Sequence, residues 1–208
     1  MEERQLTEKE SLEVITAMIA RTKERYIGDG SIMLLWGYLV WIVSLAVWIM
    51  LITTGQKIWN ILWFAITLVG GIATPIMVRK HERHKGFKTF TDKFTSRLWR
   101  FAGLTELLVL CNCISTQYIT GASCWGALLA YTLIALPIVE ITQGLLIKEK
   151  CLRYGGIVGL SAGITMASCV AGGIAPRSNW YIPLLILTFV GMMVVPGHIL
   201  HNRAQKEK

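Results

Sequence analysis

FAGLTELLVLCNCISTQYITGASCWGALLAYTLIALPIVEITQGLLI, residues 101–147, decides the fold. Its only formal charges are Glu106 and Glu140. It is about twice the ~20 residues that cross a ~30 Å hydrocarbon core. The apolar residues come in blocks, without the polar face that a surface helix or half-buried strand would show. The centre, STQYITGASCWG at 115–126, is polar and carries two glycines. The stretch therefore divides into two membrane spans, expected at 98–118 and 125–147.

Outward from this stretch the same reading repeats. Uncharged runs cover Ser31–Gln56, Ile58–Val78, Tyr154–Pro176 and Ser178–Asn202. They add spans at 32–53, 58–78, 154–174 and 180–200, six in all. The whole chain of 208 residues is 53% hydrophobic and 16% charged, with a mean hydropathy of +0.51, too apolar for a soluble domain. The expected fold is an all-α integral membrane protein of three helical hairpins. Residues 1–30 form an N-terminal cytoplasmic segment, 31–201 the six-span domain and 202–208 a cytoplasmic tail.

Lys and Arg placement orients these spans. The N-terminal segment holds Arg4, Lys9, Arg21, Lys23 and Arg25, and eight more lie between Arg79 and Arg100. Lys148, Lys150 and Arg153 follow the fourth span, and Arg203, Lys206 and Lys208 follow the sixth. All of these fall on one side, against Lys57 and Arg177 on the other, so both termini are expected inside a bacterial inner membrane. No small-residue cleavage site follows the first apolar run, which reads as an uncleaved anchor. The net charge of +8 borders the spans on a single side. That distribution points to anionic lipid headgroups, not nucleic acid.

Residues 6–27 read as an amphipathic helix. Thr7 and Glu10 fit a capping box, and Leu12, Ile15, Ile19, Thr22 and Tyr26 form one stripe. The stripe suits packing on the protein's own inner loops, or docking of a cytosolic protein or a second copy. Gly28-Asp29-Gly30 turns the chain into the bilayer. Trp59, Trp63, Tyr118, Trp125, Trp180 and Tyr181 mark the outer interface, and Trp36, Trp99, Phe101 and Tyr154 the inner one. Phe87, Phe90 and Phe94 suggest a short segment lying along the inner headgroups before the third span. Gly155, Gly159, Gly163, Ala167 and Ala171, each four residues apart, form a strip for close helix approach, within the monomer or between subunits. Arg-aromatic motifs before the odd spans, and Pro75, Pro137 and Pro196 within the even ones, give a faint threefold repeat. Of the five cysteines, Cys113 and Cys124 could both lie near the outer face, as a disulfide or as buried thiols.

The motifs KESLEVI in the opening helix, LLWG at Leu34–Gly37 and VPGHIL at Val195–Leu200 resemble a group of small multi-spanning membrane proteins of Bacteroidota. The resemblance covers most of the chain in layout. It implies the six-span topology and brings no catalytic residues.

The chemistry lies with few residues. Counting from the expected inner ends, Glu106 and Glu140 fall about 12 and 10.5 Å deep at 1.5 Å per residue. At equal depth on neighbouring antiparallel helices the carboxyls could meet. Such a pair could not ionise fully at low cost and could exchange a proton for a cation. The structural alternative bonds each to Arg100, Gln143, Thr105 or Asn112. His81/His84 and His198/His201 form two H-x-x-H pairs at the inner boundary, candidate metal ligands with Glu82. No G-x-S-x-G, H-E-x-x-H, P-loop or dinucleotide fingerprint occurs, so neither an enzyme nor a cofactor is expected. Two readings stand: a membrane-embedded interaction or regulatory protein, and a small proton- or cation-linked carrier or channel built around Glu106 and Glu140, with Asn112 and Gln143 as supporting groups.

Overall fold

The structure is a computed structural model that describes residues 7, 12–14, 16, 30–85 and 90–206, the side chains of 81–85 and 90 excepted. The described residues are mostly helical, with no strand among them, and six helices are long and apolar enough to cross a membrane. Helix α1 spans Ser31–Thr54; a 3-10 turn, Lys57–Leu62, leads into α2, Trp63–Lys85. Helices α3 (Phe90–Thr120), α4 (Trp125–Leu146) and α5 (Lys150–Ala171) follow. The sixth long helix is α6 (Ser178–Phe189), a π turn at Val190–Val194, and α7 (Val195–Lys206).

Glycine sets several of these ends. Gly30 (φ 68°) opens α1, where an added Cβ would collide with the Gly197 carbonyl; the expected turn into the helix therefore falls where α1 and α7 touch. Gly55 (φ 66°) closes α1 with its N–H on the Leu51 carbonyl at 3.0 Å. At the end of α5, Ile174 N–H bonds Cys169 O at 2.8 Å and Gly173 N–H bonds Val170 O at 3.1 Å, with Gly173 at φ 74°. This is a Schellman closure, which left-handed glycine permits. It ends α5 at Ala171, so the fifth helix lies about a turn earlier than the expected 154–174.

Two other boundaries differ from expectation. The third long helix begins at Phe90, not 98, because TDKFTSRLWR contains no glycine or proline to stop it and Asp92 in its first turn favours a helix start. Phe94 thus belongs to the spanning helix and not to a separate surface segment; Phe87 lies outside the described residues. The tail is helical to Lys206, with Arg203 and Lys206 in a last turn that favours cations. The expected amphipathic helix over 6–27, with its capping box and stripe, lies outside the described residues apart from Thr7, Leu12–Val14 and Thr16. Thr7 is not helical; Leu12–Val14 and Thr16 are, with the Thr16 hydroxyl donating to Leu12 O at 2.7 Å.

The core lies among α1, α4, α5 and the sixth long helix. Met33, Val40, Leu133, Leu152, Met166, Phe189, Met192 and Met193 meet there. Half of the apolar window of the sixth long helix is buried, against 6% for the second, so the last helix is the centre and α2 is peripheral. The most extensive pairing joins α4 to α5, across the turn at Ile147–Glu149. Packing is therefore not distributed as three equivalent hairpins. Pro137 and Pro196 are buried while Pro75 is exposed, so the three prolines are not equivalent either.

The small-residue strip explains the tight α4–α5 pair. An added Cβ at Gly159 would stand 2.6 Å from both Pro137 Cγ and Met192 Sδ, and at Gly163 it would collide with the Leu133 carbonyl. Gly156, off the strip, is equally close to Pro137 O at 2.9 Å. Gly155, Gly159 and Gly163 are buried between α4 and the sixth long helix, Ala167 is half-buried, and Ala171 is exposed at the helix end. Most of the strip is an internal packing face.

Candidate functional site

Helix α2 packs on α1, and α3 packs on α4; between α2 and α3 lies a cleft of about 3000 Å³. It runs the height of the bundle, from Lys57 and Ser123 at one end to Lys80, Arg97 and Leu200 at the other. Its back wall is α1, α4 and the sixth long helix, through residues such as Met33, Trp36, Leu136 and Met193. One face of α3 reads down the cleft as Lys93, Arg97, Arg100, Gly103, Leu107 and Leu110. These recur at spacings of three and four, so they share a stripe. The stripe is basic for two turns and then apolar. Asp92 stands at the same basic mouth.

Two tryptophans hold this cleft open at its back. Trp36 Nε1–H donates to Thr74 Oγ1 at 3.0 Å, and its ring lies against Gly70, where a Cβ would meet Cζ2 and Cζ3 at 2.7 Å. Trp99 Nε1–H donates to Gln143 Oε1 at 2.7 Å, pinning α3 to α4. Both were expected as interface anchors. Each instead bonds a neighbouring helix, because an indole N–H turned inward needs an acceptor and Thr74 and Gln143 supply one. Nothing in the spacing of Trp36 distinguishes these roles; only the partner helix does.

The two glutamates do not meet. Glu106 lines the cleft, with Oε2 3.0 Å from the Thr132 hydroxyl on α4. That hydroxyl is also 2.9 Å from Leu128 O, so its one proton faces two acceptors. Glu106 Oε1 is buried without a partner among the described residues. Thr132 lies two turns before Glu140, which puts the carboxyls about 12 Å apart along α4 at 1.5 Å per residue. Glu140 is completely buried and turns towards α5, with Oε1 2.9 Å from where a Gly155 Cβ would stand. Equal depth followed from counting inward from Leu98, whereas α3 starts a further two turns earlier. Its register on α4 is set by Trp99–Gln143 and by Cys113 Sγ, which lies 3.4 Å from Cys124 O.

The other expected partners lie elsewhere. The Thr105 hydroxyl donates within its own helix, to Ala102 O at 2.9 Å, and Asn112 is on an exposed face of α3. Cys113 and Cys124 are free thiols, as are Cys111, Cys151 and Cys169. His198 Nε2 is 2.7 Å from the Tyr38 hydroxyl, and His201 Nε2 is 3.0 Å from Gln205 Nε2. The His81 and His84 side chains lie outside the described residues. Among the described residues no three His, Cys, Asp or Glu side chains gather as a metal would need. Near the end of α7, Arg203 pairs with Glu149 at 2.8 Å, tying α7 to the α4–α5 turn.

Compared with protein-family profiles, curated proteins and solved structures, the chain matches none.

Proposed function

We propose that this chain is a non-enzymatic protein of a bacterial inner membrane, with both termini cytoplasmic, that binds an anionic lipid-like amphiphile in the cleft between α2 and α3. Six helices of spanning length and the one-sided Lys and Arg distribution support the location and orientation. The resemblance to multi-spanning proteins of Bacteroidota agrees with them.

The observation that carries the binding reading is the α3 stripe. Lys93, Arg97 and Arg100 stand where a phosphate headgroup would lie, and Gly103, Leu107 and Leu110 continue where acyl chains would follow. Charge attracts the head, and the mostly apolar walls around Glu106 accept the tail. The α3 helix keeps little of its apolar window buried, so this face is open to a bound molecule. A carrier needs its titrating groups in one place, and Glu106 and Glu140 are in two. The interaction reading is therefore the better supported of the two.

Lipid retention tests it. Protein purified in non-ionic detergent should carry anionic phospholipid in native mass spectra, in preference to a zwitterionic lipid supplied at equal concentration. Combining Lys93→Gln, Arg97→Gln and Arg100→Gln should lower retention about tenfold. Gly103→Phe, which fills the cleft, should lower it while leaving the charges in place. Equal retention of both lipids, indifferent to these changes, would sink the proposal, as would a stoichiometric protein helix found in the cleft.

A further inference from the structure

On the far side of α4 from the cleft, three elements converge on Gly155. A Cβ placed there would stand 2.8 Å from Pro196 Cγ, 2.9 Å from Glu140 Oε1 and 3.0 Å from the Met192 carbonyl oxygen. A carboxyl and a backbone carbonyl therefore lean over the same glycine. Both are acceptors when the carboxyl is charged.

Each is short of a donor. Glu140 has no exposed surface, and neither of its oxygens has a hydrogen-bond partner among the described residues. Pro196 has no N–H, so the carbonyl four residues before it, Met192, loses its helical donor. The π turn just before it, closed by Val195 N–H on Val190 O, is the local rearrangement that a mid-helix proline brings.

Among the described residues, no cation compensates Glu140. On α5, Arg153 lies beside Gly144, Cys151 is beside Glu149, and Tyr154 is exposed. On α7, His198 faces Tyr38 of α1, His201 faces Gln205, and Arg203 pairs with Glu149. Apart from Tyr38, α1 has no ionisable side chain, and Glu106 and Arg100 stand across α4 along the cleft. A charged carboxylate in this pocket would be buried and unpaired, the costliest state for such a group.

We propose that Glu140 and the Met192 carbonyl form a proton-binding site. Glu140 is held as the neutral acid, and its O–H donates to the Met192 oxygen that Pro196 leaves free. The proton is the ligand. It satisfies both oxygens at once and joins α4 to the sixth long helix over the notch that Gly155 provides. When the proton leaves, the carboxylate and the carbonyl repel, and the joint between the two halves of the core opens. The site is independent of the lipid cleft, so either can fail without the other.

The sign of the pH response follows. An unfolded Glu is already ionised above about pH 4, so a proton held only by the folded chain makes stability full below that pH and lowers it as pH rises from there. The experiment uses the full chain in lipid nanodiscs. Infrared spectra at neutral pH should show a hydrogen-bonded carboxylic-acid band that Glu140→Gln removes and Glu106→Gln leaves in place. The fall in melting temperature with rising pH should also vanish in Glu140→Gln, whose amide still donates to Met192 O. Should that variant not fold, Pro196→Ala and Gly155→Ala provide the same test. The first returns an N–H to the carbonyl and the second wedges a methyl between the oxygens, so both should move the band towards a weaker hydrogen bond. A missing band, a band indifferent to all three changes, or a pH response unchanged in Glu140→Gln would overturn the site.

Discussion

Thr132 holds one proton between two acceptors, Glu106 Oε2 and its own helix's Leu128 O. A hydroxyl can donate to only one, so the contact is complete if Glu106 is the donor to Thr132 and Thr132 the donor to Leu128. Deleting the hydroxyl should then cost about 1 kcal/mol, the usual scale of such a bond between helices. Thr132→Val should lower stability by that amount, and the loss should largely disappear when Glu106 is already Leu. A double-mutant cycle on the unfolding of the detergent-solubilised protein measures it; independent effects of the two changes would rule the bond out. At this scale the sequence revealed which residues were unusual but not what they touched. Glu106 and Glu140 stood out because little else in the apolar blocks is charged. Their partners, Thr132, Gly155 and the Met192 carbonyl, carry no signature, since a threonine, a glycine and a backbone oxygen are everywhere.

The elements were more legible than their ends. Hydropathy located all six long helices, because spanning length and charge exclusion leave a block that nothing else in the chain resembles. It missed the start of α3 by two turns, because charge exclusion marks where a helix becomes apolar and not where its hydrogen bonds begin. That error then displaced the register of Glu106. Of the strip, Gly155, Gly159 and Gly163 were legible as a packing face, since a four-residue repeat of small side chains needs no partner to be seen. But Ala171 is exposed, and Gly156, off the repeat, packs as closely. Gly159→Leu or Gly163→Leu should melt the protein at least 10 °C lower, because the added volume meets Pro137, Met192 or the Leu133 backbone. Leu160→Ala should move it by much less. Thermal unfolding in detergent would decide, and unchanged melting for both glycine variants would contradict the packing described.

For the whole molecule, the proposed orientation rests on a charge asymmetry that covers nearly every Lys and Arg in the chain. It predicts that Gln56→Cys and Asn179→Cys, both at exposed positions, react with an impermeant maleimide added outside intact cells. A cysteine introduced at Ala204 should stay protected until the membrane is opened. Reaction at Ala204 in intact cells, or protection at both of the others, would invert or break the topology. The arrangement of the helices was not legible. The expected hairpins joined helices one and two, three and four, and five and six. The most extensive contact is instead between the fourth and fifth, α4 and α5, and the most buried helix is the sixth. Packing depends on which surfaces are smooth, and only the α5 strip announced itself.

The enclosed position of the sixth long helix has a consequence for biosynthesis. A ribosome delivers this chain from the N-terminus, so five long helices are made before the one around which they pack. Until Ser178–Lys206 arrives, Val40, Leu133 and Met166 lack the neighbours that bury them in the finished bundle. The tight α4–α5 pair can form first, but the core around the sixth long helix waits for Ser178–Lys206. Quality control that samples the nascent chain would find this core open until that helix is released.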